Sequence, residues 1–289
     1  MHTTLVEYTL ASTSVLCIIL SFRNVIGSIH FLPVPHVTLR IYRRLVDSFI
    51  RVKPIANMYP WGKTPFPAEK MPAILLGAGV AAGLLLYAAG GFVLAGSPAA
   101  DTETGALDMR KLRGVMFATL LMAMLLEGGL GTQVMVKSKG FKAKSDEMNA
   151  ANRGFYNSLE HAIPAIIFIW THAVLVNGNT AAVLGITYAA ARFTYGFLYG
   201  MFGGFTIAVE PCTEFCYTLL SLLLIGTLGG LAGRGDLLAS AAAQAYTAVP
   251  LGIGAIFFWW AVVWSAVGVP VSKTIIAGVA WKEEGEAKK

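Results

Sequence analysis

The segment from Asn152 to Tyr199 places charged and polar side chains inside stretches apolar enough to cross a membrane. Arg153, Asn157 and Glu160 fall at i, i+4 and i+7, one stripe of one helix face. Arg192, Tyr195 and Tyr199 fall at i, i+3 and i+7 on the next apolar segment and form a second stripe. Two such stripes on neighbouring helices enclose a polar cleft. A charge turned to lipid at mid-bilayer costs roughly 3 kcal/mol or more, so these residues are expected to face protein and to pair. Arg192 calls for a carboxylate, either Glu160 or Glu127 of the preceding span. A structural ion pair among Arg192, Glu160 and Glu127 that fixes the bundle weighs at least as much as a ligand contact.

The other reactive side chains give weaker signals. His161 and His172 share a helix face, but no matching spacing on another span supports a metal, and bonds to neighbouring helices are expected instead. No metal site is expected. Cys17, Cys212 and Cys216 lie in or beside apolar segments and read as thiols filling helix interfaces, not as a disulfide framework. The run Phe257-Phe258-Trp259-Trp260 reads as lipid or partner packing.

What must position these residues is a set of membrane spans. The 289 residues are 56% hydrophobic and 13% charged, with mean hydropathy +0.64, which excludes soluble and disordered classes and leaves an all-α polytopic bundle. Seven stretches reach the ~20 residues needed to cross the hydrocarbon core. They lie at 4–22, 72–96, 112–136, 158–177, 180–203, 212–232 and 246–268, the first being short and rich in Thr and Ser. Glycines 77, 79, 83, 90 and 91 suit close helix contact in lipid.

Loop charge tests the count. With seven spans, one side receives the basic loops 23–71 and 137–153 and the tail, whereas the other keeps only Arg110, Lys111, Arg113 and Arg234. That asymmetry matches the positive-inside rule and puts the C-terminus on the positive side. The formal charge of +6 therefore reports membrane orientation rather than nucleic-acid binding. Met1 to Phe22 lacks the basic start of a signal or transit peptide and reads as a retained helix. Val37 to Lys53 reads as a basic amphipathic helix lying in the headgroup plane or docking a partner protein.

Spans three to six resemble the MAPEG family, the membrane-associated proteins of eicosanoid and glutathione metabolism. Three motifs carry the resemblance: Arg153-x-x-x-Asn157-x-Leu159-Glu160-x-x-Ile163-Pro164, Arg192-x-x-Tyr195-x-x-x-Tyr199, and Gln133-Val134 followed by a basic run. The resemblance covers residues 110–235. It implies a four-helix domain at 111–235 that trimerises and holds glutathione between subunits. An N-terminal extension (1–110) adds two spans, and a C-terminal one (236–289) adds one span and a charged tail. By the same resemblance the glutathione contacts would be Arg153, Asn157, Glu160, Tyr195 and Tyr199, an arginine fork for carboxylate and a carboxylate for ammonium.

One departure outweighs the match. Catalytic members carry an arginine beyond the second tyrosine, where its charge activates the glutathione thiol. Here the stretch from Gly200 to Pro211 holds no Arg or Lys, and Thr206 stands near the vacant position. The expectation is a non-catalytic structural or accessory subunit of a larger membrane complex, in a mitochondrial, plastid or endoplasmic-reticulum membrane. Its partners would be lipids and other membrane subunits, or two further copies if it assembles as the family does. A membrane-bound glutathione transferase or peroxidase, with glutathione bound, is the alternative; a lipid or lipophile binder is a further one.

Overall fold

The computed structural model describes residues 70–101, 103–138, 140, 145–202, 209–268 and 270–271. The expected span at 4–22 and the amphipathic helix at 37–53 lie outside these residues. Among them the elements are helices: α1 (Met71–Ala88), α2 (Gly90–Leu94), α3 (Arg113–Ser138), α4 (Ser145–Leu175), α5 (Gly178–Phe202), α6 (Glu210–Leu231), α7 (Leu237–Ala242) and α8 (Ala245–Phe258). A π-helical segment, Trp259–Gly268, continues α8. Six of these runs, α1, α3, α4, α5, α6 and α8 with its continuation, are long and apolar enough to cross a membrane.

Each coincides with an expected span, with two differences. The stretch 72–96 divides into α1 and the short α2 at Gly90-Gly91, a pair of poor helix formers. A Cβ added at Gly90 would stand 2.6 Å from the carbonyl oxygen of Ala242, the last residue of α7. Helix α4 begins at Ser145, well before 158, because Met148, Ala150 and Ala151 favour helix even though the segment is too polar for a hydropathy window. The basic loop at 137–153 is correspondingly shorter. Pro164 sits inside α4 and deprives the Glu160 carbonyl of its usual intrahelical donor.

Helices α3, α4 and α5 pack against one another and α6 packs on α4 and α5, while α1 and α8 pack on each other and on α6. A Cβ added at Gly79 would stand 2.7 Å from the Cα of Ile253, and one at Gly83 would stand 2.6 Å from the Cα of Val249. Backbone meets backbone there, which is how small residues bind helices in lipid. The large outward side chains of α3, α4 and α5, among them Leu120, Met124, Ile163, Ile167, Phe193 and Phe197, stay exposed on the chain.

One end of the bundle is fastened by Asn177. Its amide nitrogen donates to the Val93 carbonyl (2.9 Å) and to Asp236 Oδ2 (2.6 Å). Its oxygen accepts from the backbone N–H groups of Asn179 (2.9 Å) and Thr180 (3.0 Å), two of the unpaired donors at the start of α5. One side chain thus joins α2, α5 and the loop before α7. Asp236 in turn caps α7 by accepting from Ala239 N–H (2.9 Å). The added helices are bolted to the four-helix unit rather than strung beside it. Gly83→Ala is expected to force α1 and α8 apart and cost about 2 kcal/mol. Reversible unfolding in mixed micelles measures that loss, and Gly77→Ala, with open space around it, is the silent control.

Candidate functional site

The polar cleft forms at the other end of the bundle, and its centre is Arg192. That residue is 1% exposed, so the guanidinium sits in protein. Its Nη2 donates to the Asn157 backbone carbonyl (2.6 Å) and to Asn157 Oδ1 (2.7 Å), across from α5 to α4. The guanidinium carbon stands 4.9 Å from the centre of the Tyr195 ring, a cation–π distance. The Cys216 thiol of α6 lies beside it. The expected carboxylate is not what it meets. Glu160 and Glu127 are both exposed on the chain, and an asparagine offers two oxygens to one nitrogen in their place.

The remaining expected residues divide by direction. Tyr195 is buried and Tyr199 half-buried, with ring centres 5.8 Å apart. Arg153, like Glu160, is exposed, and Asn157 is half-buried. Thus α5 turns its stripe inward, while the charged members of the α4 stripe face out. Thr206 lies outside the described residues. At the α3 end, Gln133 is buried and donates to Asn152 Oδ1 (3.1 Å), which brings the motif that starts at Gln133 beside the one that starts at Arg153.

Both histidines bond to neighbouring helices. His172 Nδ1 pairs with Thr227 Oγ1 (3.2 Å), and His161 Nε2 with the Tyr217 hydroxyl (3.4 Å). The His161 carbonyl accepts from the Tyr188 hydroxyl (3.3 Å). Cys216 is buried, Cys212 is half-buried and both are free thiols, which suits the role of interface filler.

Two residues at this end escape sequence reasoning. Glu214 is fully buried, and its Oε2 accepts from the Trp260 indole nitrogen (2.8 Å). Trp259 stacks on Tyr217 with ring centres 4.9 Å apart and planes 11° apart. These tryptophans are therefore not the lipid or partner packing expected of them; they lie inside the chain, against α6. The π-helical winding begins at this point, and Ser265 Oγ donates to the Trp260 carbonyl (2.7 Å). A signal for the contact did exist. Glu210 and Glu214 open an apolar span one turn apart, and a buried acid needs a donor, which an indole can be and a phenyl cannot.

Several polar atoms in this region have no hydrogen-bond partner: Arg192 Nε and Nη1, the Tyr195 hydroxyl, Glu210 Oε2 and Glu214 Oε1. Glu210 and Glu214 bring their carboxyl groups into contact. Among the described residues, no group of three or more His, Cys, Asp or Glu side chains is arranged to hold a metal. The arrangement is a donor-rich cluster around Arg192 and an acid-rich one around Glu214. It can fix helices, or it can receive a small polar group.

Trp260→Phe keeps the ring and removes the donor, so it leaves Glu214 buried and unpaired, at a cost of about 1–3 kcal/mol. Adding Glu214→Met is expected to recover most of that loss, because both polar groups are then gone. Micelle unfolding of the two single variants and the double variant reads the coupling directly.

Comparison with known proteins supplies one match. Residues 113–234 fit the model of the MAPEG family, and no curated protein or solved structure matches the chain. The matched residues begin with α3 and end just past α6, so the part of the chain that is similar to the MAPEG family is this four-helix membrane unit, carried here between further helices of the same chain.

Proposed function

We propose that the chain is a non-catalytic accessory subunit of a larger membrane protein complex, with its MAPEG unit serving as scaffold. The observation that carries this reading is the engagement of Asn157. In the resemblance it is a ligand contact, yet here both its oxygens already accept from Arg192 within the chain. A tripeptide would have to displace that cation. The absence of any Arg or Lys from Gly200 to Pro211 supports the same reading, because nothing in that stretch would lower a thiol pKa. The helices fastened on both sides of the unit add surface for assembly. An organelle membrane, with the C-terminal tail on the side holding the basic loops, fits the charge asymmetry.

A second reading, a membrane-bound glutathione transferase or peroxidase, draws on a separate observation. The buried Tyr195 hydroxyl and two nitrogens of Arg192, Nε and Nη1, have no hydrogen-bond partner, and such donors suit a thiolate or carboxylate. In that reading Arg153, Asn157, Glu160, Tyr195 and Tyr199 hold glutathione at a boundary between copies. Lipids would cover the apolar outward faces in either case.

Two measurements on the chain purified from its own membrane in mild detergent decide between them. Glutathione is expected to produce no thiolate absorbance and no conjugation of a reactive aryl halide. Native mass spectrometry is expected to find stoichiometric foreign subunits. A homotrimer that forms thiolate overturns the accessory reading and establishes the enzyme.

A further inference from the structure

A cavity of about 460 Å³ opens at the end of the bundle that Asn177 fastens, where α2 and α7 meet the last turns of α4 and α6. Its size is ordinary for a small-molecule site, where roughly 300–1,000 Å³ is usual. Leu94, Leu175 and Val176 give it an apolar wall, and Asp236 is the charged residue among those lining it. The half-buried Asp236 carboxylate accepts from the Ala239 N–H (2.9 Å) and from the Asn177 amide (2.6 Å). Both donors are uncharged, so among the described residues this carboxylate has no counter-ion, and each of its oxygens keeps a second lone pair. The C-terminal ends of α4 and α6 also reach the cavity, at Leu175 and Gly230, and helix C-termini carry partial negative charge.

The cavity therefore favours a cation, and its wall selects among cations. A hard divalent ion needs about six oxygen ligands. Among the described residues no group of three His, Cys, Asp or Glu side chains could begin to supply them. An ammonium carried on an aliphatic chain matches both the carboxylate and the apolar wall. The neighbouring cations of the chain are engaged elsewhere or turned away. Lys111 donates to the Pro98 carbonyl (2.9 Å), Arg234 is exposed, and neither lines the cavity. The N-terminal stretch joins α1, and the C-terminal tail leaves the segment Trp259–Gly268, at the cleft end, across the bundle from this site.

We propose that this cavity binds an alkylammonium ion, a primary amine on an aliphatic chain, with the ammonium donating to Asp236 and the chain lying along Leu94, Leu175 and Val176. The site stands independently of the accessory reading. Asp236, α2 and α7 lie outside the matched residues 113–234, so the cavity exists where the further helices join the four-helix unit. An amine-headed lipid and a free long-chain amine offer the same chemistry, and both are covered by the test.

Equilibrium dialysis of radiolabelled dodecylamine against the full chain in neutral-detergent micelles provides that test, with dodecanol as the uncharged competitor. Expected is saturable binding that dodecanol does not displace. Asp236→Asn retains a capping oxygen for α7 but removes the charge. It is expected to weaken binding about tenfold, the difference between a charged and a neutral hydrogen bond. Ser240 lines the cavity from α7, so Ser240→Lys brings a tethered ammonium to it and is expected to abolish binding, whereas Ser240→Met binds as the natural chain does. Thermal unfolding confirms that each variant is folded, and the Ser240 pair decides should Asp236→Asn fail to fold. Displacement by phosphatidylethanolamine and not by butylamine identifies a lipid headgroup as the ligand, and the reverse identifies a soluble amine. The proposal is overturned by a lack of saturable binding, as when a segment of this chain fills the cavity. Equal displacement by dodecanol, or unchanged affinity in folded Asp236→Asn or in Ser240→Lys, overturns it as well.

Discussion

A guanidinium cannot shed its proton at any ordinary pH, so Arg192 brings a permanent charge into a layer that tolerates none. Everything around it at this end of the bundle answers that constraint. Asn157 supplies a carbonyl and an amide oxygen, Tyr195 supplies the negative face of its ring, and Cys216 supplies a polarisable sulfur. Three helices are therefore held to one group: α5 carries the charge, α4 the oxygens and α6 the thiol. An asparagine in place of a carboxylate makes the contact a charge–dipole bond, weaker than an ion pair but without a second ion to desolvate.

The same economy explains how the further helices are attached to the four-helix unit. In lipid there is little hydrophobic gain from joining two apolar helices, so attachment must come from close packing and from polar groups with nowhere else to go. The chain uses each at a different place. Gly79 and Gly83 let α1 touch the backbone of α8. Asn177 and Asp236 tie one end, and Trp260 and Glu214 tie the other. Contacts at both ends fix tilt as well as position, which a single contact could not do.

The helices were legible in the sequence because the bilayer sets their length and composition, and the six described spans lie where hydropathy puts them. The end of α4 was misplaced because Asn152, Arg153 and Asn157 lower hydropathy without opposing helix formation. The cleft was half legible. Spacing alone brought the residues of each stripe together, and it placed Arg192 opposite the stripe containing Asn157. It could not say which member of that stripe Arg192 would choose, since this depends on a rotation of α4 that only packing determines. Glu160 was the better electrostatic partner and Asn157 the one in reach. The Glu214–Trp260 contact joins residues 46 apart on helices with no motif in common, and pairing at that distance needs the fold.

Direction, more than identity, separates the roles of the charged residues. Arg192 faces in and is held there through Asn157, so it contributes to holding the bundle whether or not anything binds. Arg153, Glu160 and Glu127 face out and are exposed among the described residues. A catalytic unit would complete such residues with substrate at a boundary between copies, and it would need a cation near the sulfur. The stretch after Tyr199, where the family resemblance locates that cation, has none. In the accessory reading proposed above, what the outward charges would retain is the power to select a neighbour. In hydrocarbon that power is large, because the difference between a paired and an unpaired acid there exceeds most packing terms. In that reading the polar frame serves as a means of assembly.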